Sequence, residues 1–478
     1  LAADGTLKAE HGTGRIMAPF VERQYGPELY NVMVKLKNAA DPDRMLNPGT
    51  IITDDPQLHL KDIKLSPTVQ EEVDRCVECG YCEPVCPSRD LTLTPRQRIV
   101  VQRAIAQAHA DGDEELAAQL SADEQYPVIQ TCAVDGMCQT NCPLHINTGD
   151  LVRRLRAEGN SPAWQGVWDI AAKGWGPFVS AASLGMDAVH PIPTRATNTV
   201  LGAARSIVGA DRVPLLSKEL PAGGRRRSSG HRRGPVGRPE VVYLPACVNT
   251  MFGSAVPQEE TLEFSVLSLL AAAGVGVTVP QGIEAVCCGT PWKSKGMTTG
   301  YATMRRRVVD IMQEATHGGE LTVISDAVSC SEGFVHELEY EGVTGIRIVD
   351  AVQYIADELL PVLPDLPKLR SAALHPTCSS TRMSWNDALY RCAQAIADDV
   401  VVADDWGCCG FAGDRGMLHP ELTESATARE TAQLRAREFD VYLSANRTCE
   451  IGMQRATGKS WRHVLSVLAE RMVEFAPA

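Results

Sequence analysis

The sequence lacks three features that would place it in a familiar class at once. Its longest apolar candidate, residues 264–279, falls short of the roughly 18 residues that a bilayer requires and is broken by glycines. This stretch is predicted to be a core helix that leads into a strand. The chain has no excess of positive charge, because its net charge is −13, which argues against general nucleic-acid binding. The first residues have neither the charged nor the apolar region of a signal peptide. We therefore expect a soluble, cytoplasmic protein that can still touch the inner face of the cell membrane peripherally.

The cysteine content is the first positive signal. The chain has 16 cysteines among 478 residues. Its length suggests two to four domains, and its 44% hydrophobic content is ordinary for a globular protein. Disulfides are a poor explanation, since nothing indicates secretion and reducing compartments keep thiols free. The cysteines are clustered, and proline follows Cys86 and Cys142, as is typical of metal ligands.

Residues 76–87, "CVECGYCEPVCP", form a C-x2-C-x2-C-x3-C-P run, and residues 131–143 form a second run of the same kind. In such pairs, three cysteines of one run hold a cubane and the fourth reaches the other cluster. The first 4Fe-4S cluster is thus predicted to be held by Cys76, Cys79, Cys82 and Cys142. The second is predicted to be held by Cys86, Cys132 and Cys138, with Asp135 facing its fourth iron. Zinc is the rival for C-x2-C pairs, but the cysteine-proline endings and the reciprocal runs favour clusters.

Asp135 stands where the second run should have a cysteine. It can ligate iron as an oxygen donor, leave a three-iron cluster with an open corner, or point away while water fills the site. Carboxylate suits this iron less well than thiolate does, and ligand identity alters the cluster potential. The favoured interpretation is a second site that interconverts between three and four irons.

The C-terminal half contains an internal repeat in which a cysteine, a Cys-Cys-Gly tripeptide and another cysteine recur. The first unit contains Cys247, Cys287, Cys288 and Cys330, and the second contains Cys378, Cys408, Cys409 and Cys449. Each group follows a short apolar run, and helical stretches such as 301–315 and 387–398 lie between. This alternation predicts two α/β units with cysteines at the carboxyl ends of strands. The glycine after each pair lets the backbone turn so that adjacent thiols face one site.

This pattern resembles the cysteine-rich CCG domain shared by heterodisulfide reductase, the anaerobic glycerol-3-phosphate dehydrogenase electron-transfer subunit and glycolate oxidase iron–sulfur subunits. The family motif ends in C-x2-C, whereas Ala327 and Asn446 replace the first cysteine of that pair here. Four cysteines per repeat are enough for one cluster each. A zinc site or reduced thiols lining a pocket remain the alternatives. Cys392 lies outside the pattern and is predicted to be a core residue.

The first sixty residues contain "LKAEHGTGR" at 7–15 and "LKNAADPDRMLNPG" at 36–49. These resemble the tail of FAD-linked oxidases of the vanillyl-alcohol oxidase superfamily. The resemblance implies that Glu10 helps to hold a divalent metal, zinc or manganese, near the substrate. It also implies that His11 contacts a 2-hydroxy acid, in the role of a base, and that Asn47 belongs to the cofactor-binding turn. Because sixty residues are too few for a flavin domain, we expect the chain to be part of a longer polypeptide.

The predicted fold class is multidomain α/β plus α-helical, with a helical ferredoxin and two Rossmann-like CCG repeats. Residues 221–239, rich in Gly, Pro, Ser and Arg, are predicted to be a flexible linker. The predicted domains are an FAD-oxidase remnant (1–60), a ferredoxin domain (61–160), a helical connector (161–220), the linker (221–239), a first CCG domain (240–360) and a second (361–478).

This order resembles fused bacterial D-lactate or D-2-hydroxyglutarate dehydrogenases. The resemblance implies that electrons leave FAD singly, pass through the clusters to the CCG domains, and reach a quinone or an electron-carrier protein. The fragment alone is expected to lack dehydrogenase activity. The alternatives are a freestanding electron-transfer subunit and a thiol-active reductase in which the cysteine pairs perform disulfide chemistry.

Overall fold

The structure is a computed structural model that describes residues 1–8, 12–63, 65–232, 240–256, 258–364 and 366–474. The chain divides into two compact units, Leu1–Pro67 and Thr68–Ala478. The first unit contains helix α1 (Val21–Ala40), which is interrupted at Gly26, where φ is +80°. After α1, the buried Asp41 carboxylate accepts hydrogen bonds from the backbone N–H groups of Met45 and Leu46, both at 2.9 Å. Asp41 thereby fixes the turn that carries the "LNPG" sequence.

The second unit begins with the ferredoxin segment, whose helices brace two cysteine loops. They are α2 (Pro95–Asp111), α3 (Glu114–Asp123), α4 (Met137–Thr140) and α5 (Thr148–Gly159). Thr94 begins α2 with a capping box, and the Asn147 side chain accepts from the Gly149 N–H at the start of α5. These caps hold each helix start next to a cysteine loop.

Three helices follow the ferredoxin segment: α6 (Pro162–Lys173), α7 (Trp175–Val189) and α8 (Thr194–Val208). The first repeat then contains β1 (Gly230–Arg232), β2 (Glu240–Leu244), α9 (Val248–Met251), α10 (Leu262–Ala272), β3 (Gly276–Val279), α11 (Thr290–Lys295), α12 (Thr298–Ala315), β4 (Thr322–Ser325), α13 (Val328–Tyr340), β5 (Ile348–Asp350) and α14 (Ala351–Tyr354). The strand order is β1-β3-β2-β4-β5, and the pairs are parallel except for β1 with β3. The core helix and strand predicted for 264–279 are α10 and β3.

The second repeat contains β6 (Leu369–Leu374), α15 (Cys378–Arg382), α16 (Asn386–Ile396), β7 (Ala397–Val401), α17 (Arg415–Leu418), α18 (Pro420–Leu434), β8 (Val441–Ser444), α19 (Arg447–Thr457), β9 (Trp461–His463) and α20 (Val464–Glu474). Its strand order is β7-β6-β8-β9, and all pairs are parallel. Short 3-10 turns (Ala18–Phe20, Leu58–Leu60, Ile283–Ala285) and π-helical turns (Gln125–Gln130, Ile355–Leu359) complete the secondary structure.

The two repeats share one hydrophobic core and do not pack as separate domains. Val242 and Leu269 of the first repeat lie in the same buried cluster as Leu443 and Val464 of the second. Within the described residues, none of the helices combines the length and apolar character that a membrane crossing needs. The chain is thus a mixed α/β protein with parallel-rich sheets and a helical ferredoxin part, as the sequence predicts.

Part of the predicted flexible linker is ordered. Gly230–Arg232 pair antiparallel with β3 and form the edge of the first sheet. The Arg227 guanidinium donates to the backbone carbonyls of Pro245 (3.1 Å), Val286 (3.0 Å) and Glu284 (2.9 Å). The hydrogen bonds of the sheet and of Arg227 therefore order residues that composition alone predicts to be a flexible linker. Residues 233–239 lie outside the described residues.

Candidate metal and thiol sites

The four cysteines predicted for the first cluster are brought together by the fold. Cys76, Cys79, Cys82 and Cys142 line one cavity. Three of them come from the loop before α2 and one comes from the loop after α4. Beside them, the buried Arg103 pairs with Glu78 at 2.8 Å and donates to the Cys76 carbonyl at 2.9 Å. Burial raises the pKa of Cys82 to about 11, so this thiol needs a bound cation to ionise readily.

The residues predicted for the second cluster also meet. Cys86, Cys132, Asp135 and Cys138 line a second cavity. The three cysteines are buried. Burial first, and the negative charges of Asp135 and Cys132 next, raise the pKa of Cys138 to about 12. Thiols in such surroundings ionise when a metal binds them.

Arg98 gives an independent reason to place negative charge in the second cavity. Its side chain is 1% exposed. It donates to Ser88 Oγ at 2.7 Å and approaches Cys86 Sγ at 3.7 Å. A buried guanidinium needs a compensating anion. Burial lowers the pKa of Arg98, but the negative charges of Cys132 and Cys86 outweigh burial, so that the pKa is raised. The residues of this cavity therefore fit an anionic iron–sulfur cluster, which they would hold through thiolates with Arg98 as the nearby cation.

Asp135 connects the second cavity to the second repeat. Burial raises the pKa of the Asp135 carboxyl, and the neighbouring Cys408 thiol only partly offsets this effect. One oxygen of this carboxylate, Oδ2, is buried and has no hydrogen-bond partner. An oxygen that lacks a partner in a metal-ligand cavity is suited to bind a cation. The sequence could not indicate that Asp135 faces a cysteine of the distant repeat.

Arg382 holds the same junction. Its guanidinium pairs with Glu332 of α13 at 2.5 Å and lies 3.5 Å from the Asp135 carbonyl oxygen. Gly136, at φ +74°, leaves room for it, because a Cβ there would lie 2.5 Å from the Arg382 guanidinium nitrogen. One arginine thus ties the ferredoxin loop to both repeats.

The four cysteines of the first repeat form one buried group at the carboxyl ends of the strands, as predicted. Cys247 Sγ lies 3.6 Å from Cys287 Sγ, and Cys288 hydrogen-bonds to Cys287, Cys330 and Thr290. Gly289, at φ +70°, makes the turn after the cysteine pair. The hydrogen bonds from Cys287 and Cys330 hold the pKa of Cys288 well below its usual value.

The second repeat repeats this arrangement with an added imidazole. Cys408 is hydrogen-bonded to Cys378 and Cys409, and Cys409 is hydrogen-bonded to Cys449 and His375. A ring nitrogen of His375 and the sulfurs of Cys409 and Cys449 all lie within 4.8 Å of one another. Sequence reasoning missed His375, although it stands three residues before the predicted Cys378 and directly follows the buried end of a strand.

His375 is paired on its other side with Glu430 of α18. Its Nδ1 lies 2.8 Å from the Glu430 carboxylate, and both side chains are 1% exposed. Burial lowers the pKa of His375, but Glu430 and Cys409 outweigh burial and raise it to about 10. This position therefore favours a positive charge.

The positions that depart from the family motif have their own surroundings. Asn446 donates to Ser329 Oγ of the first repeat at 3.1 Å, and Ala327 is buried in the shared core. Cys392 is a core residue, as predicted, because it is fully buried in α16.

In the first unit, Asn47 lies exposed in the turn that Asp41 organises, with φ +47°. Asparagine tolerates this left-handed conformation better than most residues. Glu10 and His11, the predicted metal ligand and substrate contact, lie outside the described residues.

Comparison with known proteins agrees with this division of the chain. Residues 1–51 match the family described as "FAD linked oxidases, C-terminal domain", and residues 72–146 match "4Fe-4S dicluster domain". Residues 241–334 and 372–454 match "Cysteine-rich domain". The predicted flavin-oxidase, ferredoxin and CCG resemblances are confirmed at this level.

Two relatives align along most of the chain. The glycolate oxidase iron–sulfur subunit of Escherichia coli (strain K12) is 22% identical over 417 residues, covering 83% of this chain and 93% of that protein. The probable glycolate oxidase iron–sulfur subunit of Bacillus subtilis (strain 168) is 22% identical over 418 residues, covering 80% and 88%. Mitochondrial D-lactate dehydrogenase [cytochrome] of Arabidopsis thaliana is 36% identical over 52 residues, which are 11% of this chain and 9% of that protein. The chain therefore combines a C-terminal segment of FAD-linked oxidases, a dicluster ferredoxin domain and two cysteine-rich domains.

Proposed function

We propose that the chain is the iron–sulfur electron-transfer part of a flavin-dependent 2-hydroxy-acid oxidoreductase. The observation that carries this proposal is the packing of the second ferredoxin loop on the second repeat: Ala133 and Met137, which flank Asp135, lie in one apolar cluster with Cys408. The second ferredoxin cavity would thus lie next to a second set of potential metal ligands, the cysteines of the second repeat. Such an order of sites suits the passage of electrons along the chain.

The residues of the chain provide the holders and the electrostatic environment. Cys76, Cys79, Cys82 and Cys142 would hold one cluster, and Cys86, Cys132 and Cys138 would hold the other with Asp135. When bound, the clusters supply reversible one-electron chemistry. Burial of the second set excludes water, and Arg98 stabilises added negative charge. The cysteines of the two repeats would hold further clusters or metal ions.

The electron donor in this proposal is a flavin that oxidises a 2-hydroxy acid in a catalytic part of the same complex. The two long relatives are named for glycolate oxidase and the short one for D-lactate dehydrogenase, which supports glycolate or D-lactate as substrate. That catalytic part would include Glu10, which would help to hold zinc or manganese, together with His11 and Asn47. The acceptor would be a quinone or a carrier protein, reached at the inner face of the cell membrane.

The test is reduction by a defined donor. The full chain is purified anaerobically, its iron and sulfide are counted, and it is titrated with a photoreduced flavin while EPR spectra are recorded. Two ferredoxin clusters that accept electrons from the flavin semiquinone or hydroquinone, and return them to a quinone analogue, are the expected result. Little iron with zinc in its place, or clusters that the flavin does not reduce, would overturn the proposal.

A thiol–disulfide reductase is the second candidate, and one observation favours it. Hydrogen bonds from neighbouring thiols hold the pKa of Cys288 and of Cys409 well below the usual value, which increases thiolate character. Both sulfurs are buried, which works against attack on a large disulfide. Disulfide reduction without added flavin, abolished in a Cys288→Ser, Cys409→Ser variant, would support this function over electron conduction.

A further inference from the structure

We propose that helices α7 and α8 form a surface that docks on an anionic lipid bilayer. This inference deepens the proposed function and rests on it for its role, because that function places the electron acceptor at the membrane. Apolar side chains of both helices would enter the edge of the lipid layer, and nearby arginines would contact its phosphates. The docking surface is defined by Phe178 and Leu184 of α7, Val200 and Ile207 of α8, and Arg225 and Arg226 of the loop before β1.

The solvent-facing side of α7 is apolar. Phe178 and Leu184 are 44% and 64% exposed. Ala181 and Ala188 continue the same side at helical spacing and are also exposed. Asp187 is the one charged residue in the sequence of this helix, and its carboxylate accepts from a backbone N–H of the loop before β1 at 2.9 Å. Since solvent-facing helix sides usually carry charged and polar residues, this side of α7 is suited to an apolar partner.

Helix α8 also turns large apolar side chains to solvent. Val200 and Ile207 are 71% and 87% exposed, and none of the 15 residues of this helix is buried. On the opposite side, Asn198 hydrogen-bonds to the backbone N–H and carbonyl of Leu216, at 2.9 and 2.7 Å. Arg205, two turns further along that side, donates to two backbone carbonyls. The apolar side of a surface helix usually faces the core, whereas polar side chains hold α8 to the protein and leave an apolar stripe exposed.

The two helices are neighbours in the fold. Met186 of α7 and Leu216 pack against the same buried apolar cluster, which contains Leu220. Leu216 is also the residue whose backbone Asn198 of α8 holds. The segment around Leu216 therefore joins α7 to α8, and their exposed stripes belong to one region of the surface.

The arginine loop is fixed to α7. Ser183 Oγ of that helix donates to the Gly224 carbonyl at 2.9 Å. Arg225 and Arg226 follow directly and are exposed. Within the part of the chain that the structure describes, neither guanidinium has an acidic partner. Two positive charges thus lie beside the apolar side of α7.

The wider surroundings are basic, although the protein is acidic. The chain has a net charge of −13, whereas residues 161–232 contain nine lysines and arginines and four acidic residues. All four acidic side chains are bonded within the protein: Asp169 to Lys173, Asp187 to the backbone, Asp211 to Arg415 and Glu219 to Arg455. The charges that remain for a partner on this part of the surface are therefore mainly positive.

A bilayer satisfies both properties of this surface together. Its anionic headgroups attract basic residues, and the apolar layer directly beneath accepts exposed side chains such as Phe178 and Leu184. A two-fold dimer through the same surface would bring the arginine loops of two copies together without an anion to neutralise them. An acidic protein would neutralise the arginines, but it would leave the apolar stripes in need of a second feature. The observations therefore favour lipid.

The test is flotation of the full chain, purified anaerobically, with lipid vesicles. Vesicles of phosphatidylcholine are compared with vesicles that also contain phosphatidylglycerol. The chain is expected to float with the anionic vesicles, to bind the neutral ones weakly, and to dissociate as salt is added. A Phe178→Trp variant reports insertion, because brominated acyl chains should quench the fluorescence of the added tryptophan.

Variants locate the docking surface. Leu184→Asp and Ile207→Asp should each lower the affinity for anionic vesicles at least 10-fold, since each removes an apolar side chain from the lipid and adds a negative charge. The double variant Arg225→Gln, Arg226→Gln should lower it about 20-fold and leave the weak binding to neutral vesicles unchanged. Val473→Asp is the matched control, because Val473 of α20 is 64% exposed, as Leu184 is. Circular dichroism and the EPR signals of the clusters verify that each variant folds.

Three outcomes would overturn the proposal. The first is wild-type vesicle affinity in both Leu184→Asp and Ile207→Asp. The second is a dimer, seen by sedimentation, that Leu184→Asp dissociates in a chain that binds neither kind of vesicle. The third is a chain that ignores vesicles but binds immobilised polyglutamate through its arginine loop, which would assign the surface to an acidic protein.

Vesicle binding requires no electron transfer, and reduction by flavin is measured without vesicles. A chain that floats but is not reduced by flavin would contradict only the proposed function. A chain that is reduced normally but does not float would contradict only the docking surface.

Discussion

The Asp135 carboxyl of the ferredoxin segment lies beside the Cys408 thiol of the second repeat. The position that lacks a cysteine in the second ferredoxin run therefore has a cysteine opposite it, supplied by a residue far along the chain. Met137, two residues after Asp135, packs with Cys408 and Leu422 in one apolar cluster. Apolar side chains thus pack at the junction between the ferredoxin segment and the second repeat, beside a cavity that Met137 and Cys408 line.

Replacing Asp135 by cysteine should convert the second cavity into an all-thiolate site. The wild type is expected to show a three-iron EPR signal when oxidised in air, because carboxylate holds the fourth iron weakly. Asp135→Cys should lose most of that signal and retain four irons per cluster. The measurement is iron content and EPR before and after oxidation.

The control for that substitution is Asp150→Cys, since Asp150 lies partly exposed in the first turn of α5 and pairs with Arg153. It adds a cysteine without entering the cavity, so its spectra should match the wild type. A three-iron signal of undiminished size in Asp135→Cys would show that position 135 does not control the fourth iron.

Replacing Cys408 by serine should slow electron transfer between the second ferredoxin cluster and the second repeat while leaving the ferredoxin iron count unchanged. The substitution removes a polarisable sulfur from the contact with Asp135. The measurement is the rate at which an external quinone analogue reoxidises the reduced protein. Cys392→Ser is the matched control, because Cys392 is a buried cysteine of the same repeat outside the thiol group. Equal reoxidation rates in the two variants would contradict a route through Cys408.

Arg98 should raise the reduction potential of the second cluster, because a buried positive charge stabilises the electron that the cluster gains. Arg98→Gln is expected to lower that potential by on the order of 100 mV, a size consistent with one charge a few ångströms away in a partly polar interior. Potentiometric titration followed by EPR measures the shift.

Arg103→Gln is the comparison for Arg98, since Arg103 is also buried on α2 but contacts the first cysteine loop and pairs with Glu78. It should leave the second cluster potential unchanged. An unaltered potential in Arg98→Gln would mean that Arg98 stabilises the loop fold and has no effect on the cluster electrons.

The sequence predicted the groups whose chemistry depends on local spacing. The two ferredoxin cavities contain the cysteines that the C-x2-C pattern pairs, and the repeat cysteines lie at strand ends, because strand–helix alternation dictates that placement. Contacts between distant segments were not predictable. The partner of Asp135 depends on how the ferredoxin segment packs on the second repeat. The pairing of His375 with Glu430 depends on how α18 packs inside that repeat, and no local pattern encodes either contact. Edge-strand pairing likewise ordered Gly230–Arg232 against the tendency of their composition.

Glu124 should make stability depend on pH. This side chain is 8% exposed and is hydrogen-bonded by Gln102, and burial raises its pKa to about 7. Because the folded pKa exceeds the ordinary value of 4.5, the folded state holds the proton more tightly than the unfolded chain. The associated stability is fully present below about pH 4.5 and is lost as pH rises through 7.

Glu124→Gln removes this titration while preserving the shape and a hydrogen bond to Gln102. Relative to the wild type, the variant should gain about 1 to 3 kcal/mol between pH 5 and pH 8.5. The measurement is anaerobic urea unfolding followed by circular dichroism at both pH values. Glu114→Gln, at an exposed position in the first turn of α3, is the control and should show no such pH-dependent gain. A constant difference between Glu124→Gln and the wild type across this range would show that Glu124 is already ionised in the folded protein, so that Gln102 compensates its burial.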